Sequence, residues 1–342
     1  MTEKAIVASA PAKVILLGGK GVNWGFPALV AAVGIRTFCT LKRVGGDGYG
    51  FSYGDHSEKG DRATLRVFRD RIADLLARKE YEEIAAIARG DFFAPVRHVL
   101  AHVVDKGGGL GVELSWRTDI PVGSGLGSGA AASASMAAAV ARASGLVMEP
   151  RDLAWIAWQG DVIAHGGLGT GLDSGASVLG GIVRYSLKDG PRPVKVARRL
   201  PLVVGDTLLR ASTATSNTKS RNWLDEHPMR FHLLEEMGLL VEQAQGAIEK
   251  GDMRILGHLM NLNQLIKEKL GMSLPKIEQL IEAALGAGAL GAKISGKGGG
   301  GIIVTLADEG KSRDVAAAID GAGGKALVPE VGVEGARIET GA

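Results

Sequence analysis

The sequence predicts an α+β protein with two domains. Segments of alternating or continuous apolar residues, typical of strands, are interspersed with segments whose apolar residues recur at helical spacing. The 342 residues are enough for two hydrophobic cores. Because the composition shifts near residues 186 to 200, we expect an N-terminal domain over residues 1–186 and a C-terminal domain over residues 187–342.

The first part of the chain is mostly strand-like. AIVASAPAKVILLG predicts one or two strands, and ALVAAVGIRTFCTLKRV predicts another. The polar, glycine-rich stretch GGDGYGFSYGDHSEKGD is interpreted as a mobile loop or lid. Helical spacing follows over residues 62–90 and 93–107, and GVELSWRTDIPV is typical of a strand.

The next segments alternate between helices and strands. A helix is expected from about Gly129 to Ser144, and Pro150 suits the first turn of a second one. SGASVLGGIVRYSL and RLPLVVGDT are strand candidates, and three amphipathic helices follow between residues 231 and 288. GIIVTLAD, GKSRDVAAAIDGAG and ALVPEVGV then predict a closing strand–helix–strand unit.

Charge and cysteine content exclude several classes of protein. The 40 basic residues are nearly balanced by 37 acidic ones, which argues against a nucleic-acid partner but leaves anionic small molecules as candidates. Cys39 is the only cysteine, so an intrachain disulfide and a cysteine-rich metal site are both excluded. The segment MTEKAIVASAPAK lacks the apolar core of a signal peptide, and no apolar run approaches the roughly 20 residues of a membrane helix. We therefore expect a cytoplasmic protein without a membrane partner.

Glycine-rich connections carry the functional signal. The 51 glycines cluster between apolar segments, as expected for loops that converge on a ligand. In PVGSGLGSGAAASASMAAAV such a loop opens a helix of small residues. Its backbone N–H groups and the positive end of the helix dipole would favour an anion, and the missing side chains would let a phosphate approach.

Three anion-binding templates compete for these loops. Residues 125–130 satisfy the dinucleotide fingerprint G-x-G-x-x-A, with Glu149 downstream, but RTDIP separates the loop from its strand. GAKISGKG, residues 291–298, matches a P-loop except that glycine replaces the final hydroxyl residue, which would ligate magnesium. The third template is a single site formed by PVGSGLGSGAA and KISGKGGGGIIVTL together, and it fits better than either single motif or a pair of ordinary glycine turns.

These motifs and their order resemble the GHMP kinase superfamily, and within it the mevalonate kinases. APAKVILLGGKGVNWGFPALVAAV, PVGSGLGSGAA and GALGAKISGKGGGGIIVTL resemble the three family motifs, and HGGLGTGLDSGASVLGG resembles the segment with the catalytic aspartate. The resemblance spans nearly the whole chain. It implies an N-terminal domain like domain 2 of ribosomal protein S5, a ferredoxin-like C-terminal domain, and ATP and acceptor in the cleft between them.

The resemblance also implies roles for individual residues. Asp173 matches the catalytic base, and Lys13 matches a lysine that would stabilise its ionised form and the charge on the transferring phosphoryl group. Ser128 and Asp161 occupy the positions expected to hold Mg²⁺, although the family usually carries Glu at the second, and His165 is interpreted as structural. The ATP-binding residues implied by the second motif are Pro121, Gly123, Ser124, Gly125, Leu126, Gly127, Ser128, Gly129 and Ala130.

Departures from the family pattern bear on the acceptor. Gly19 and Lys20 stand where mevalonate kinases carry Glu and His, so Lys20 would meet a carboxylate or a phosphate on the acceptor. Ala12, Gly129 and Gln264 also replace a family Gly, Ser and His. The candidate acceptor-binding residues are Lys20, Asn23, Thr218, Lys219 and Gly296.

The sequence therefore predicts an ATP- and Mg²⁺-dependent kinase for a small acceptor, with mevalonate as the first candidate. Two alternatives stay open: a kinase of the same fold for a phosphorylated mevalonate or a sugar, and a catalytically silent ligand-binding relative. A nicotinamide-dependent dehydrogenase is a more remote possibility. A homodimer is left open as the assembly.

Overall fold

The computed structural model describes residues 5–209 and 230–340. Eight strands form the first sheet, in the order β12-β1-β2-β5-β3-β4, with β6 pairing with β2 and β7 with β6. These strands are β1 (Ile6–Leu17), β2 (Ala28–Arg43), β3 (Gly48–Tyr53), β4 (His56–Asp61), β5 (Val112–Thr118), β6 (Ile182–Ser186), β7 (Gly190–Pro193) and β12 (Arg337–Ile338).

Six helices accompany this sheet. They are α1 (Arg62–Ala77), α2 (Tyr81–Gly90), α3 (Ala94–Asp105), α4 (Ser128–Ala143), α5 (Pro150–Ala164) and α6 (Leu172–Leu179), and a short 3₁₀ helix spans Lys20–Trp24. Helix α4 packs against β1, β2 and α5. Its small side chains allow this close approach: a Cβ atom at Gly160 of α5 would lie 2.2 Å from Ser133 Oγ of α4. The run of alanine and serine therefore brings the two helices together beside the first strand.

The second sheet has the order β11-β8-β10-β9. Its strands are β8 (Leu202–Asp206), β9 (Ala289–Ser295), β10 (Ile302–Ala307) and β11 (Lys325–Leu327), and its helices are α7 (His232–Lys250), α8 (Met253–Lys269), α9 (Pro275–Gly286) and α10 (Ser312–Gly321). Because β10 and β11 both pair antiparallel with β8, the closing unit is a split βαβ, as the sequence predicts. This strand order is the ferredoxin-like arrangement implied for the C-terminal half.

The two halves share one hydrophobic core. A single cluster of buried side chains joins residues of β1, β2 and α4 to residues of β8, β10, α7 and α8. The chain also returns to its first sheet, where Ala8 and Ser9 of β1 pair with Ile338 and Arg337 of β12. The division at residue 186 stays a prediction.

AIVASAPAKVILLG forms one strand, the first of the two expected possibilities. Two local predictions differ from the structure. The expected lid GGDGYGFSYGDHSEKGD is the β3–β4 hairpin, at the sheet edge farthest from β12. Tyr49 and Phe51 of β3 are buried against the core, an alternation that the intervening glycines hide in the sequence. SGASVLGG is helical rather than extended, because α6 begins after Gly171 and ends at Gly180 with buried small residues between them.

Gly180 offers a test of how strongly the C-terminal segment is attached. Its φ of 71° is left-handed, and an added Cβ atom would lie 2.2 Å from Gly335 N and 2.5 Å from Val333 O. We expect Gly180→Ala to lower the free energy of unfolding by about 2 kcal/mol or more, measured by chemical denaturation. Gly181→Ala is the matched control, because Gly181 also has positive φ but open space around its Cβ position. Equal losses in the two variants would contradict this account.

Candidate active site

An ion pair between Lys13 and Asp173 lies at the centre of the site. Lys13 is on β1 and only 3% exposed, and its Nζ lies 3.1 Å from Asp173 Oδ1. The same ammonium donates a hydrogen bond of 3.0 Å to Gly125 O. Asp173 lies in the first turn of α6. The structure thus brings together the two residues expected to do the chemistry.

The second glycine motif wraps around Lys13. Lys13 N donates to Leu126 O at 2.9 Å, which fixes the loop against β1. Gly127 has φ 82° at the start of α4, and a Cβ atom there would lie 3.0 Å from Lys13 Cγ and Cε. A glycine is therefore required both by the left-handed turn and by the lysine side chain beside it.

The expected nucleotide loop lines a cavity of about 280 Å³. Seven of its nine predicted residues face this cavity; they are Gly123, Ser124, Gly125, Gly127, Ser128, Gly129 and Ala130. Pro121 and Leu126 are not among the described lining residues. Pro121 O accepts hydrogen bonds from Ser124 N and Oγ, and Leu126 is buried in the core. Both residues therefore stabilise the conformation of the loop without lining the cavity.

The third glycine motif forms the facing wall. Gly296, Gly298, Gly300 and Gly301 line the same cavity, and an added Cβ atom at Gly301 would lie 2.9 Å from Ser124 O of the second loop. The two loops predicted to form one anion site therefore approach each other directly. Backbone N–H groups without side chains are suited to a polyphosphate.

Asp161 and Ser128 lie on the same cavity, as a magnesium site requires. Asp161 is 5% exposed, and its Oδ2 accepts a hydrogen bond of 3.2 Å from Ser174 N. Burial, followed by the nearby Asp173 carboxylate, raises the pKa of Asp161. Residues 5–209 and 230–340 contain no group of three or more His, Cys, Asp or Glu side chains arranged to hold a metal. One buried carboxylate and one hydroxyl fit a dication whose remaining ligands are phosphate and water.

The buried charge of Asp161 leads to a pH-dependent prediction. Because the pKa of Asp161 is raised on folding, the folded chain holds this proton more tightly, and stability is lost as the pH rises through that pKa. We expect Asp161→Asn to be more stable than the parent at pH 8 without metal, by on the order of 1 kcal/mol, and to lose that advantage only as the pH falls to about 4, near the pKa of an unfolded aspartate. Thermal unfolding at both pH values in chelator would measure this, with Asp55→Asn in the exposed β3–β4 turn as the control. Parallel pH curves for the parent and Asp161→Asn would show that the carboxylate is not destabilising.

The candidate acceptor residues fall into two groups. Lys20 and Asn23, from the 3₁₀ helix after β1, line the cavity together with Gly296. Lys20 Nζ lies 5.7 Å from the centroid of the Trp24 ring, and burial lowers the pKa of Lys20 to about 8. Thr218 and Lys219 lie outside the described residues.

Three lysines at the site were not predicted. Lys267 and Lys293 are fully buried, and their ammonium groups donate to backbone carbonyls: Lys267 to Ile294 O and Gly296 O, Lys293 to Ile15 O and Ile294 O. These bonds tie the third glycine motif to α8 and to the end of β1. The third, Lys297, lines the cavity. In the sequence, Lys297 was indicated only by the imperfect P-loop over residues 291–298, because the lysine of that motif falls at this position.

Comparisons with known proteins identify the family. The model for the GHMP kinases N terminal domain matches residues 94–181, and the model for GHMP kinases C terminal matches residues 244–325. The mevalonate kinase of Pyrococcus horikoshii is 34% identical over 343 residues, or 98% of each chain. The chain belongs to the GHMP kinase family. It is accordingly an ATP-dependent kinase that phosphorylates a hydroxyl group.

Solved structures of similar proteins share the architecture of this kinase. L. major mevalonate kinase in complex with R-mevalonate has a TM-score of 0.70 and 27% identity, covering 94% of this chain and 91% of its own. Methanococcus jannaschii mevalonate kinase, at 18% identity, has a TM-score of 0.76 and covers 98% of this chain and 99% of its own. At this low identity, the Methanococcus jannaschii structure is evidence for a shared fold and not for a shared activity. Together they confirm the two-domain GHMP kinase fold that the motifs implied.

Proposed function

We propose that this kinase transfers the γ-phosphoryl group of ATP to the hydroxyl of mevalonate. The observation that carries the proposal is the Lys13–Asp173 pair, held at 3.1 Å on the wall of a cavity that both glycine loops also line. The mevalonate kinases of Pyrococcus horikoshii and Aeropyrum pernix, 34% and 32% identical over almost their full lengths, support this acceptor.

The residues divide the chemistry among them. Asp173 would receive the proton of the acceptor hydroxyl as it attacks the γ-phosphorus, and the bonding pair of the broken P–O bond would leave with ADP. Lys13 keeps the Asp173 carboxylate oriented and offers positive charge to the transferring group. The glycine loops would donate backbone N–H groups to the triphosphate. Mg²⁺, which would neutralise phosphate charge, would be held by Ser128 and Asp161.

Two further parts of the proposal concern the setting of the enzyme. A cytoplasmic location is proposed from the composition and the single cysteine. No helix in residues 5–209 or 230–340 is long and apolar enough to cross a bilayer. The partners proposed are small molecules, without nucleic acid, and a homodimer stays a candidate assembly.

A second acceptor class is favoured by one observation. Lys20 and Lys297 add two cations to the cavity beyond the lysine paired with Asp173. Such an excess of positive charge suits an acceptor with a second anionic group, such as a phosphorylated mevalonate.

A substrate panel tests the proposal. We would measure Mg²⁺- and ATP-dependent ADP release with mevalonate, 5-phosphomevalonate, 3-phosphomevalonate, galactose and homoserine. Turnover of mevalonate supports the first acceptor, whereas turnover of a phosphorylated acceptor alone supports the second. ATP binding without turnover on any acceptor would support the silent relative instead.

A further inference from the structure

Lys297 lines the cavity, and none of the roles described above is assigned to it. It lies in the third glycine motif, between Gly296 and Gly298, and lines the cavity with Lys13 and Asp173. The loop beneath it is anchored, because Lys267 Nζ donates to Gly296 O at 2.8 Å. The position of its backbone is therefore fixed by contacts that do not involve its own side chain.

Within residues 5–209 and 230–340, the side chain of Lys297 has one hydrogen-bond partner, and this partner is neutral. Its Nζ lies 3.2 Å from Nδ1 of His165, the residue that follows α5. Burial lowers the pKa of His165 to about 3, so the imidazole is neutral and Nδ1 accepts a hydrogen bond from the ammonium. Among the described residues, no carboxylate lies within ion-pair distance of Lys297. The charge of this ammonium thus has no direct counter-ion in the part of the chain that the structure describes.

The surroundings of Lys297 contain both signs of charge. Burial lowers the pKa of Lys297 to about 7; the nearby carboxylates raise this pKa by smaller amounts, and the nearby lysines lower it further. The titratable groups that face it come from β1, the 3₁₀ helix, α5 and α6; they are Lys13, Lys20, Asp161, His165 and Asp173. The ammonium therefore lies near both the candidate metal ligand and the candidate base, where a phosphoryl group would pass between nucleotide and acceptor.

Two neighbouring lysines show what a purely structural role looks like. Lys267 and Lys293 are 0% exposed and each donates to two backbone carbonyls. Lys297 instead lines the cavity and makes one bond to a weak, neutral acceptor. An anionic oxygen is a much stronger acceptor for an ammonium than an imidazole nitrogen is. A bound phosphate would therefore compete successfully with His165 for this side chain.

We propose that Lys297 exchanges its bond to His165 for an oxygen of the γ-phosphoryl group when ATP binds. This inference rests on the proposed ATP-dependent transfer. Lys297 neither gives nor takes a proton in the transfer, because the acceptor proton goes to Asp173 and the electron pair of the broken P–O bond leaves with ADP. ADP lacks the γ-phosphoryl group, so the contact distinguishes the substrate nucleotide from the product nucleotide.

Calorimetric binding of MgATP and MgADP, without acceptor, tests the inference. We expect Lys297→Met to weaken MgATP binding about tenfold or more and to leave MgADP binding unchanged within about twofold. kcat should fall while the KM of the acceptor stays the same, and Lys297→Arg should restore part of the preference for ATP. Lys59→Met, on the exposed face of β4, is the control and should change neither affinity. Thermal unfolding of each variant checks that it is folded.

Other outcomes would overturn the inference in distinct ways. Equal weakening of both nucleotides would assign Lys297 to loop structure, and a raised acceptor KM with unchanged nucleotide affinities would assign it to the acceptor. Failure of the parent protein to bind either nucleotide would instead count against the proposed function itself. Because nucleotide binding is measured without acceptor, an error in the choice of mevalonate does not affect the result.

Discussion

Replacement of Asp173 by asparagine is expected to lower kcat by about 10²- to 10⁴-fold, the range typical of a positioned general base. The amide cannot take the proton of the acceptor hydroxyl, but it can still accept a hydrogen bond from Lys13 Nζ, 3.1 Å from the present carboxylate. The fold should therefore survive, and the affinity for MgATP should change little. Steady-state kinetics with saturating acceptor, together with calorimetric nucleotide binding, measure both expectations.

A matched control makes the Asp173 result specific. Asp152→Asn changes an exposed carboxylate in the first turn of α5 and should leave kcat unaltered. A large loss of nucleotide affinity in Asp173→Asn, with kcat little changed, would contradict the role of Asp173 as the base. It would indicate instead that this carboxylate organises the nucleotide site.

Lys13→Met is expected to be the second most damaging change, lowering kcat by about 10²- to 10³-fold. The variant loses the cation beside Asp173 and the 3.0 Å bond from Nζ to Gly125 O that fixes the second glycine loop. We therefore expect a weaker affinity for MgATP as well, which separates this variant from Asp173→Asn. Kinetics and nucleotide calorimetry on the same preparations give the comparison.

Arginine should not replace Lys13 well. The stem of Lys13 lies so close to Gly127 that a Cβ atom there would be 3.0 Å from Lys13 Cγ and Cε, and a planar guanidinium needs more room than an ammonium. Lys42→Met, on the exposed end of β2, is the control. Full activity in Lys13→Arg would show that this site requires only a positive charge.

The sequence predicted the fold well where local pattern and tertiary packing agree. Pro150 begins α5 as expected, and α4 starts within one residue of its predicted first position. The β3–β4 hairpin was missed because its strands contain three glycines and four charged or histidine residues, which are typical of loops. Only the tertiary packing of Tyr49 and Phe51 shows that this segment belongs to a sheet.

The candidate site was predicted as far as its motifs are local. The pairing of Lys13 with Asp173, 160 residues apart, could be anticipated from family resemblance but not from spacing. Lys297 was visible only as part of an imperfect P-loop, because glycine at position 298 lacks the hydroxyl that the motif requires. Its contact with His165 depends on how the loop after β9 and the residue after α5 meet at the cavity, which no local pattern encodes.

The pairing of β12 with β1 has a consequence for folding during synthesis. Arg36, on β2, donates to Glu334 O and Gly335 O, so residues from the end of the chain satisfy a buried guanidinium within the first sheet. A ribosome releases these residues after all the other strands of the first sheet. Until then a nascent chain holds β1 as an unprotected edge strand, with the guanidinium lacking those two acceptors. The N-terminal half therefore reaches its final form only after residues 334–338 have been made, and a fragment that ends near residue 186 is a poor choice for expressing that half alone.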